Sequence, residues 1–210
     1  MELHNSTHLD SATLERLFQE AVADWPHDGM RVFVRYSRGS DFSGSCYYRP
    51  PRIHINLGRR NRYPYAIRTQ IARARSDRRS WWRELYEVEA ADAVQLAFFL
   101  FMHEFYHWLV RKARRNSRQK EGRCDRFAVR GMVERWGVIV RDTNGRAVPR
   151  GEWDFQDLDG FVAAARRTGV RNRIVRTIRP AVVASAAGLA AARIANPANR
   201  GGQLLLFPVE

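Results

Sequence analysis

The spacing of hydrophobic and polar positions predicts a helix followed by three strands in the first quarter of the chain. Apolar residues recur every three or four positions from Ser11 to Ala23, which is typical of an amphipathic helix with Ser11 as its N-cap. Strands are expected next, because β-branched and aromatic residues predominate. Ser37 to Ser45, rich in Gly and Ser, reads as a loop, and the three expected strands are Met30 to Tyr36, Cys46 to Tyr48 and Arg52 to Leu57.

The second half of the chain is predicted to be mostly helical. A long helical pattern runs from about Ser80 to Arg115, and its middle, Ala93 to Met102, is apolar almost all round, as in a helix buried on every side. The turn signal Asp142-Thr143-Asn144-Gly145 favours a hairpin within Gly137 to Pro149. Further helices are expected at Ser117 to Trp136, Phe155 to Arg167 and Pro180 to Asn196.

Length and composition are consistent with one compact domain and a tail. The chain has 210 residues, 45% of them hydrophobic, which is enough to bury a core. Gly and Pro after Asn196 separate a domain at 1–195 from a flexible tail at 196–210. We expect an α+β domain with a small, mostly antiparallel sheet packed on a buried helix.

The net charge of +14 favours polyanionic partners, and nucleic acid is the first of these. Basic and aromatic residues interleave from Arg59 to Arg83, a pattern suited to phosphates and unpaired bases. The alternative is a solvated helical face with Trp81 and Trp82 in the core. The candidate nucleic-acid contacts are Arg59, Arg60, Arg62, Arg78 and Arg79.

The cysteines and the apolar segments favour a cytoplasmic protein, with association with the nucleoid compatible. Two cysteines, Cys46 and Cys124, make no disulfide framework and suit a reducing compartment. The first residues lack the basic and apolar regions of a signal peptide. Pro180 to Ala195 is too short for the roughly 20 residues of a membrane span and contains Arg193, so no membrane partner is expected.

The sequence His103-Glu104-Phe105-Tyr106-His107 lies on the most strongly predicted helix. Two histidines four positions apart lie on one helix face, where both imidazoles can ligate one Zn²⁺ ion. Glu104 lies beside them and can take a proton from an attacking water as a general base. The alternative, a hydrogen-bonded cluster without metal, would be costly in so apolar a stretch.

A third zinc ligand is expected on the following helix, because a catalytic zinc needs three protein ligands and no histidine follows His107. Glu121 is the candidate ligand, and Asp125, one turn further on the same face, is expected to hydrogen-bond a ligand imidazole. The alternative is that both carboxylates pair with neighbouring arginines on a solvated face, namely Arg118, Arg123 and Arg126.

Together, the HExxH motif and the run Glu121-Gly-Arg-Cys-Asp125-Arg-Phe-Ala128 resemble the gluzincin pattern, and more narrowly the ImmA/IrrE-type intracellular metallopeptidases. The resemblance covers roughly residues 50–135. Arg123 stands where that family usually has a second Glu, and Cys124 where it usually has Ala. The resemblance implies a zincin-like fold in which Arg52 to Leu57 is the sheet edge that pairs with a substrate backbone.

The HExxH motif does not identify the residue that would stabilise the oxyanion of the transition state in peptide hydrolysis. No Tyr or His follows His107, so the donor is an Arg, a backbone N–H or an earlier residue such as His54 or Tyr65.

The C-terminal segment Gln203-Leu204-Leu205-Leu206-Phe207 resembles the bacterial sliding-clamp-binding pentapeptide. Leu204, Leu206 and Phe207 would fill an apolar pocket, and Gln203 would hydrogen-bond at its rim. The alternative is a hydrophobic plug that docks on the domain itself. A basic peptidase with a clamp-binding tail is similar in organisation to the SprT/Spartan-like DNA–protein crosslink proteases.

The sequence thus leads to two functional hypotheses. The first is an intracellular zinc endopeptidase that cleaves protein or peptide substrates in association with DNA or the replication clamp. The second is a non-catalytic module that binds DNA or the clamp, with a structural or vestigial metal site.

Overall fold

The computed structural model describes residues 1–115 and 120–168, which form a mixed α and β fold. Its sheets are small, and its longest helices contain the predicted metal-binding motifs. The strands are β1 (Glu2–Asn5), β2 (Arg31–Tyr36), β3 (Phe42–Tyr48), β4 (Pro51–Leu57), β5 (Tyr65–Thr69), β6 (Arg75–Ser76), β7 (Trp81–Trp82) and β8 (Tyr86–Ala90). The helices are α1 (Ser11–Ala21), α2 (Ala93–Lys112), α3 (Lys120–Trp136), α4 (Arg150–Trp153) and α5 (Leu158–Thr168).

The main sheet has four strands in the order β1-β2-β4-β3, and it is mixed rather than mostly antiparallel. The pairs β1–β2 and β2–β4 are parallel, and only β3–β4 is antiparallel. The prediction of a mostly antiparallel sheet was wrong here because it missed β1 and because β3 lies at the edge of the sheet, so that β2 and β4 are parallel neighbours. Once Glu2–Asn5 is a strand, α1 becomes the connection between two parallel neighbours.

The N-cap of helix α1 is Asp10, one residue earlier than the predicted N-cap. The Asp10 carboxylate, rather than Ser11, accepts a hydrogen bond from the Thr13 amide at 2.6 Å. Asp is as good an N-cap as Ser, so the sequence alone does not separate the two positions. The apolar face of α1 contributes Leu14, Leu17 and Phe18 to the core.

Strand β4 is internal, which contradicts the expectation that Arg52 to Leu57 forms the sheet edge. It pairs with β2 on one side and with β3 on the other. Strand β3 begins at Phe42, inside the segment predicted to be a loop, and it is the edge next to helix α2. Among the residues described, β3 has no second strand partner, so its outer backbone groups face away from the sheet.

The long predicted helix starts only at Ala93. The Asp92 carboxylate caps it by accepting from the Gln95 amide at 2.8 Å. Upstream, Tyr86, Val88 and Ala90 are buried while the residues between them are not, which is the period of a strand. The prediction of helix from Ser80 onward was therefore wrong at its N-terminal end.

The basic segment from Arg59 to Arg83 is largely made of strands and turns, not of one helix. Strand β5 pairs antiparallel with β8, and β6 and β7 form a short hairpin. Trp81 and Trp82 lie in that hairpin with 73% and 48% of their surfaces exposed. The alternative that placed both indoles in the core is therefore wrong.

The turn predicted within Gly137 to Pro149 is present, with the Gly145 amide donating to the Asp142 carbonyl. A single bridge, Arg141 to Ala147, closes it instead of a full hairpin. Helix α5 begins at Leu158, three residues later than predicted. The predicted helix at Pro180 to Asn196 and the division between 1–195 and 196–210 lie outside the described residues.

Helix α2 forms the centre of the fold, and its residues from Leu96 to Val110 are all buried. It packs against β3 and β4 of the main sheet, and α1 lies beside it, where Phe18 stacks on Phe101 at 4.3 Å. Helix α3 covers another side of α2. No described helix combines the length and hydrophobicity needed to cross a membrane.

Candidate metal centre

Helix α2 presents His103 and His107 on the side that faces α3. Their Nε2 atoms lie 3.0 Å apart, and both side chains are almost completely buried. The spacing of four residues brings both rings to one side of the helix, as expected from helical geometry. Two nitrogen donors therefore converge on one point inside the protein.

Glu121 of α3 completes a triangle of donor atoms with the two histidines. Its Oε2 atom lies 3.4 Å from His103 Nε2 and 3.4 Å from His107 Nε2. Ligands about 2.0–2.1 Å from one tetrahedral zinc ion would be roughly 3.3–3.4 Å from each other. The three separations thus fit the dimensions of a single metal ion. Glu121 also opens the cluster to solvent, because 31% of its side chain is exposed.

Cys124 is a further possible ligand that the sequence analysis did not consider. A buried group of His103, His107 and Cys124 could hold a metal ion, since their donor atoms all lie within 4.8 Å of one another. Burial raises the pKa of the Cys124 thiol well above its usual value, which disfavours the thiolate that metals bind. The sequence does carry one sign of this ligand: Cys124 lies three residues after Glu121 on α3, a spacing that makes the two side chains neighbours on a helix.

Asp125 orients His103, at the position where the sequence predicts it. Its Oδ1 atom lies 2.8 Å from His103 Nδ1, and its Oδ2 atom accepts from the Gln70 amide at 2.7 Å. A hydrogen on Nδ1 leaves the Nε2 lone pair free to face the other donors. Gln70, which follows β5, is a supporting residue that no sequence motif marks.

Burial and close charges determine the protonation of the side chains in the cluster. Burial opposes a charge on His103, but hydrogen bonds to Asp125 and Glu121 outweigh it and raise its pKa to about 10. Burial lowers the pKa of His107 to about 4. Burial opposes ionisation of Glu121, but hydrogen bonds from both histidines hold its pKa well below the usual range. An anionic carboxylate beside two imidazoles is a donor set suited to a divalent cation.

Glu104 lies on α2 against strand β3. Burial raises its pKa to about 7, and the charge of His103 opposes this rise. A Cβ atom at Gly44 of β3 would overlap the Glu104 carboxylate, so glycine gives the side chain its room. A carboxyl group with a pKa near neutrality can both accept and return a proton.

Tyr48 and Lys120 form a hydrogen-bonded polar pair. Lys120 Nζ donates to the Tyr48 hydroxyl at 3.0 Å. Burial is the main cause of the raised pKa of Glu104 and of the lowered pKa of His107; the Lys120 charge opposes the first shift and adds to the second. The earlier candidates for oxyanion donor are placed differently. His54 lies on the opposite face of the sheet from Gly44, and the Tyr65 hydroxyl donates to Asp41 at 3.0 Å.

The predicted nucleic-acid contacts fall in two segments of the chain, one after β4 and one between β6 and β7. Arg59 stacks over Tyr36 at 4.7 Å, and Arg78 and Arg79 lie in the turn between β6 and β7. All five are exposed, namely Arg59, Arg60, Arg62, Arg78 and Arg79.

The proposed clamp-binding residues lie beyond the described part of the chain. They are Gln203, Leu204, Leu206 and Phe207.

Comparisons with protein-family models, with curated proteins and with solved structures give no match for this chain. The class of the protein therefore rests on the cluster itself. The structure shows a mixed α and β fold with a buried histidine-rich group that could hold a metal ion.

Proposed function

We propose that this protein is a zinc-dependent endopeptidase of the HExxH class. The observation that carries the proposal is the triangle of donor atoms from His103, His107 and Glu121, with separations of 3.0, 3.4 and 3.4 Å. A neighbouring carboxyl group with a pKa near 7 supports a hydrolytic rather than a structural role. The resemblance to gluzincins, and to the ImmA/IrrE type in particular, is consistent with this proposal.

In the proposed site, His103, His107 and Glu121 hold the zinc ion and Asp125 orients His103. A zinc ion held by these residues would supply polarisation of a substrate carbonyl and a lower pKa for water. A catalytic site keeps one coordination position open for water or substrate, and the partly exposed Glu121 leaves access to the site from solvent.

Glu104 is the proposed general base. It receives the proton of the attacking water and returns it to the amine that leaves when the peptide bond breaks. Contact with the β3 backbone at Gly44 fixes where the carboxylate lies. Its buried surroundings keep competing water away and strengthen its electrostatic effect.

Strand β3 is the proposed binding edge for the substrate backbone. It is the edge strand beside α2, and its residue Gly44 touches the proposed base. An extended peptide added to this edge would run past Glu104. This assigns to β3 the role that the sequence analysis gave to Arg52 to Leu57.

Tyr48 is the proposed donor to the oxyanion that forms at the substrate carbonyl. It ends β3, and the Lys120 ammonium lies against its hydroxyl. Burial raises the pKa of the Tyr48 hydroxyl, and the Lys120 charge opposes that rise, so the phenol is a better hydrogen-bond donor than burial alone would leave it. Replacement of Tyr48 by Phe would lower kcat with little change in metal content.

The first test is the Glu104→Gln variant, which keeps the size of the side chain and removes its basicity. We expect one zinc per chain in both proteins and a loss of hydrolysis of about 10²–10⁴-fold in the variant. New N-termini in a denatured proteome, counted by mass spectrometry after incubation with zinc-loaded protein, provide the measurement. Glu15→Gln, an exposed change on α1, is the matched control.

Two results would decide against this function. Equal cleavage by wild type and Glu104→Gln would place the activity elsewhere. Zinc-loaded wild type that generates no new N-termini would favour the second hypothesis, a non-catalytic module that associates with DNA or the clamp.

Association with DNA remains part of the proposed function, because the net charge of +14 attracts polyanions. Clamp binding by Gln203 to Phe207 is proposed from the sequence alone. Removal of these five residues would weaken retention on a clamp and leave the zinc content unchanged. Undiminished retention would remove the clamp from the proposal.

A further inference from the structure

The face of the main sheet that is turned away from α2 carries a row of four aromatic rings, one from each strand. His4 stacks on Phe33 with ring centroids 4.7 Å apart, and Phe33 lies 5.0 Å from His54. Tyr47 continues the row at 5.1 Å from His54. We call this surface the aromatic face. Its rings are partly exposed, and none of them belongs to the metal cluster.

Arginines flank the row on the same face. Arg31 and Arg52 are register partners on β2 and β4, and Arg35 follows on β2. Arg52 lies over the Tyr47 ring at 4.5 Å, and Arg31 lies 6.0 Å from the Phe33 ring. Glu2, which pairs with His4 at 3.0 Å, is the acidic residue among the β1–β4 strand positions of this face. The surface is therefore both aromatic and positively charged.

The aromatic face continues into a basic cleft of about 1020 Å³. Tyr47 lines the cleft as well as the row, so the two surfaces are contiguous. The described lining contains five cationic side chains and no acidic one. These cations are Arg49, Arg111, Lys112, Arg114 and Arg115.

Such a surface suits a flat, negatively charged ligand. An exposed sheet face that only meets water is normally lined by polar side chains, and a face that packs on a protein core is apolar without charges. Partly exposed rings between arginines fit neither case. Burial and the neighbouring Arg35 and Arg52 lower the pKa of His54 to about 4, so its ring is neutral at pH 7 and can stack without adding charge.

We propose that the aromatic face binds single-stranded nucleic acid. Unpaired bases stack on the row formed by Phe33, His54 and Tyr47, while the arginines and the adjacent cleft bind the phosphates. A sheet that offers rings to bases and cations to the backbone is a common physical solution for unpaired strands. A duplex fits less well, because its bases are already stacked and cannot lie on the rings.

Fluorescence anisotropy with labelled 12-nucleotide strands tests the proposal. The probes are oligo-dT, oligo-rU and a 12-base-pair duplex, and the protein is the full chain. Phe33→Leu keeps an apolar side chain but removes the flat ring. Arg52→Glu reverses one charge on the face, and Arg146→Glu makes the same charge change at an exposed turn position elsewhere.

We expect a single strand to bind more tightly than the duplex. Phe33→Leu should weaken that binding roughly 5-fold or more, as loss of one stacked base would. Arg52→Glu should weaken it more than Arg146→Glu does and reduce the salt slope by about 0.7 for each phosphate that is no longer neutralised. The comparison of oligo-dT with oligo-rU decides whether DNA or RNA is preferred. Unchanged melting temperatures and zinc contents would show that the variants are folded.

The proposal fails if neither oligo-dT nor oligo-rU binds at low salt. It also fails if the duplex binds as tightly as each of these single strands. It also fails if Phe33→Leu binds like wild type, or if Arg52→Glu and Arg146→Glu lose affinity equally, since charge alone would then explain binding. The result is independent of peptidase activity, because Glu104→Gln would retain strand binding under this proposal.

Discussion

At the scale of single residues, the candidate metal site depends on which group on α3 faces the two histidines. Glu121 and Cys124 both lie near His103 and His107, and they differ in charge. Glu121 is held as an anion by its two hydrogen bonds, whereas burial keeps the Cys124 thiol protonated. A divalent cation therefore gains more from the carboxylate.

Replacement of Glu121 by Ala should abolish or strongly reduce zinc binding, as should His103→Ala. Cys124→Ala should keep about one zinc per chain, because it removes a neutral thiol and leaves the carboxylate in place. Elemental analysis of the purified, metal-loaded proteins measures this directly. Asp159→Ala, which removes an exposed carboxylate on α5, is the control for loss of negative charge.

The opposite pattern would reassign the third ligand. Zinc retained by Glu121→Ala and lost from Cys124→Ala would make Cys124 the ligand and would leave the class of metal site intact. Metal-loaded wild type without zinc would contradict the proposed centre.

At the scale of elements, the end of β8 and the start of α2 decide how the histidines are presented. The Asp92 cap starts the helix, and eleven positions later it carries His103. A helix that ran on from Ser80 would remove β8 and leave β5 without its partner. The two alternatives predict effects of opposite sign when Asp92 is replaced.

Asp92→Ala should destabilise the protein by about 1 kcal/mol, because an N-cap hydrogen bond is lost. Asp92→Asn, which can still cap, should stay close to wild type. Urea unfolding followed by circular dichroism gives the free energies. A gain in stability with Ala, the better helix former, would mean that residue 92 lies inside a helix.

The close contact between Gly44 of β3 and Glu104 of α2 gives a second prediction at the scale of elements. Gly44→Ala should displace the Glu104 carboxylate and reduce hydrolysis by on the order of 100-fold, with zinc still bound. Gly39→Ala is the matched control, because open space surrounds a Cβ at that position. Full activity in Gly44→Ala, measured beside the zinc content, would show that Glu104 adapts to the added methyl group.

At the scale of the whole molecule, the cluster lies where several elements meet. Helix α2 supplies the histidines, α3 supplies Glu121 and Asp125, and the segment after β5 supplies Gln70. An ion bound by these residues would therefore link α2 to α3 directly and to the β5–β8 sheet through Asp125. Stability of the fold should then depend on the metal.

Removal of zinc with a chelator should lower the melting temperature by on the order of 10 °C, as expected for a tightly held ligand. His103→Ala should melt at the same temperature with and without chelator, because it has no ion to lose. Scanning calorimetry of both proteins provides the comparison. A wild-type melting temperature that is insensitive to chelator would indicate that the ion does not support the fold.

The sequence by itself determined the local chemistry. Helical spacing placed His103 and His107 on one side of a buried helix, and a second helix carried Glu121 and Asp125 four residues apart. These features depend on the period of one element, so they can be predicted without knowing what packs against it. The apolar character of Ala93 to Met102 likewise predicted burial, which the structure shows from Leu96 to Met102.

Only the tertiary structure decided which elements are neighbours. The parallel pairing of β1 with β2, the internal position of β4 and the edge position of β3 depend on strand order, which alternation along one strand does not encode. The contacts of Gln70 with Asp125 and of Gly44 with Glu104 join residues 55 and 60 positions apart in the chain. The aromatic face has the same origin, because four strands each contribute one ring and only their register brings the rings into a row.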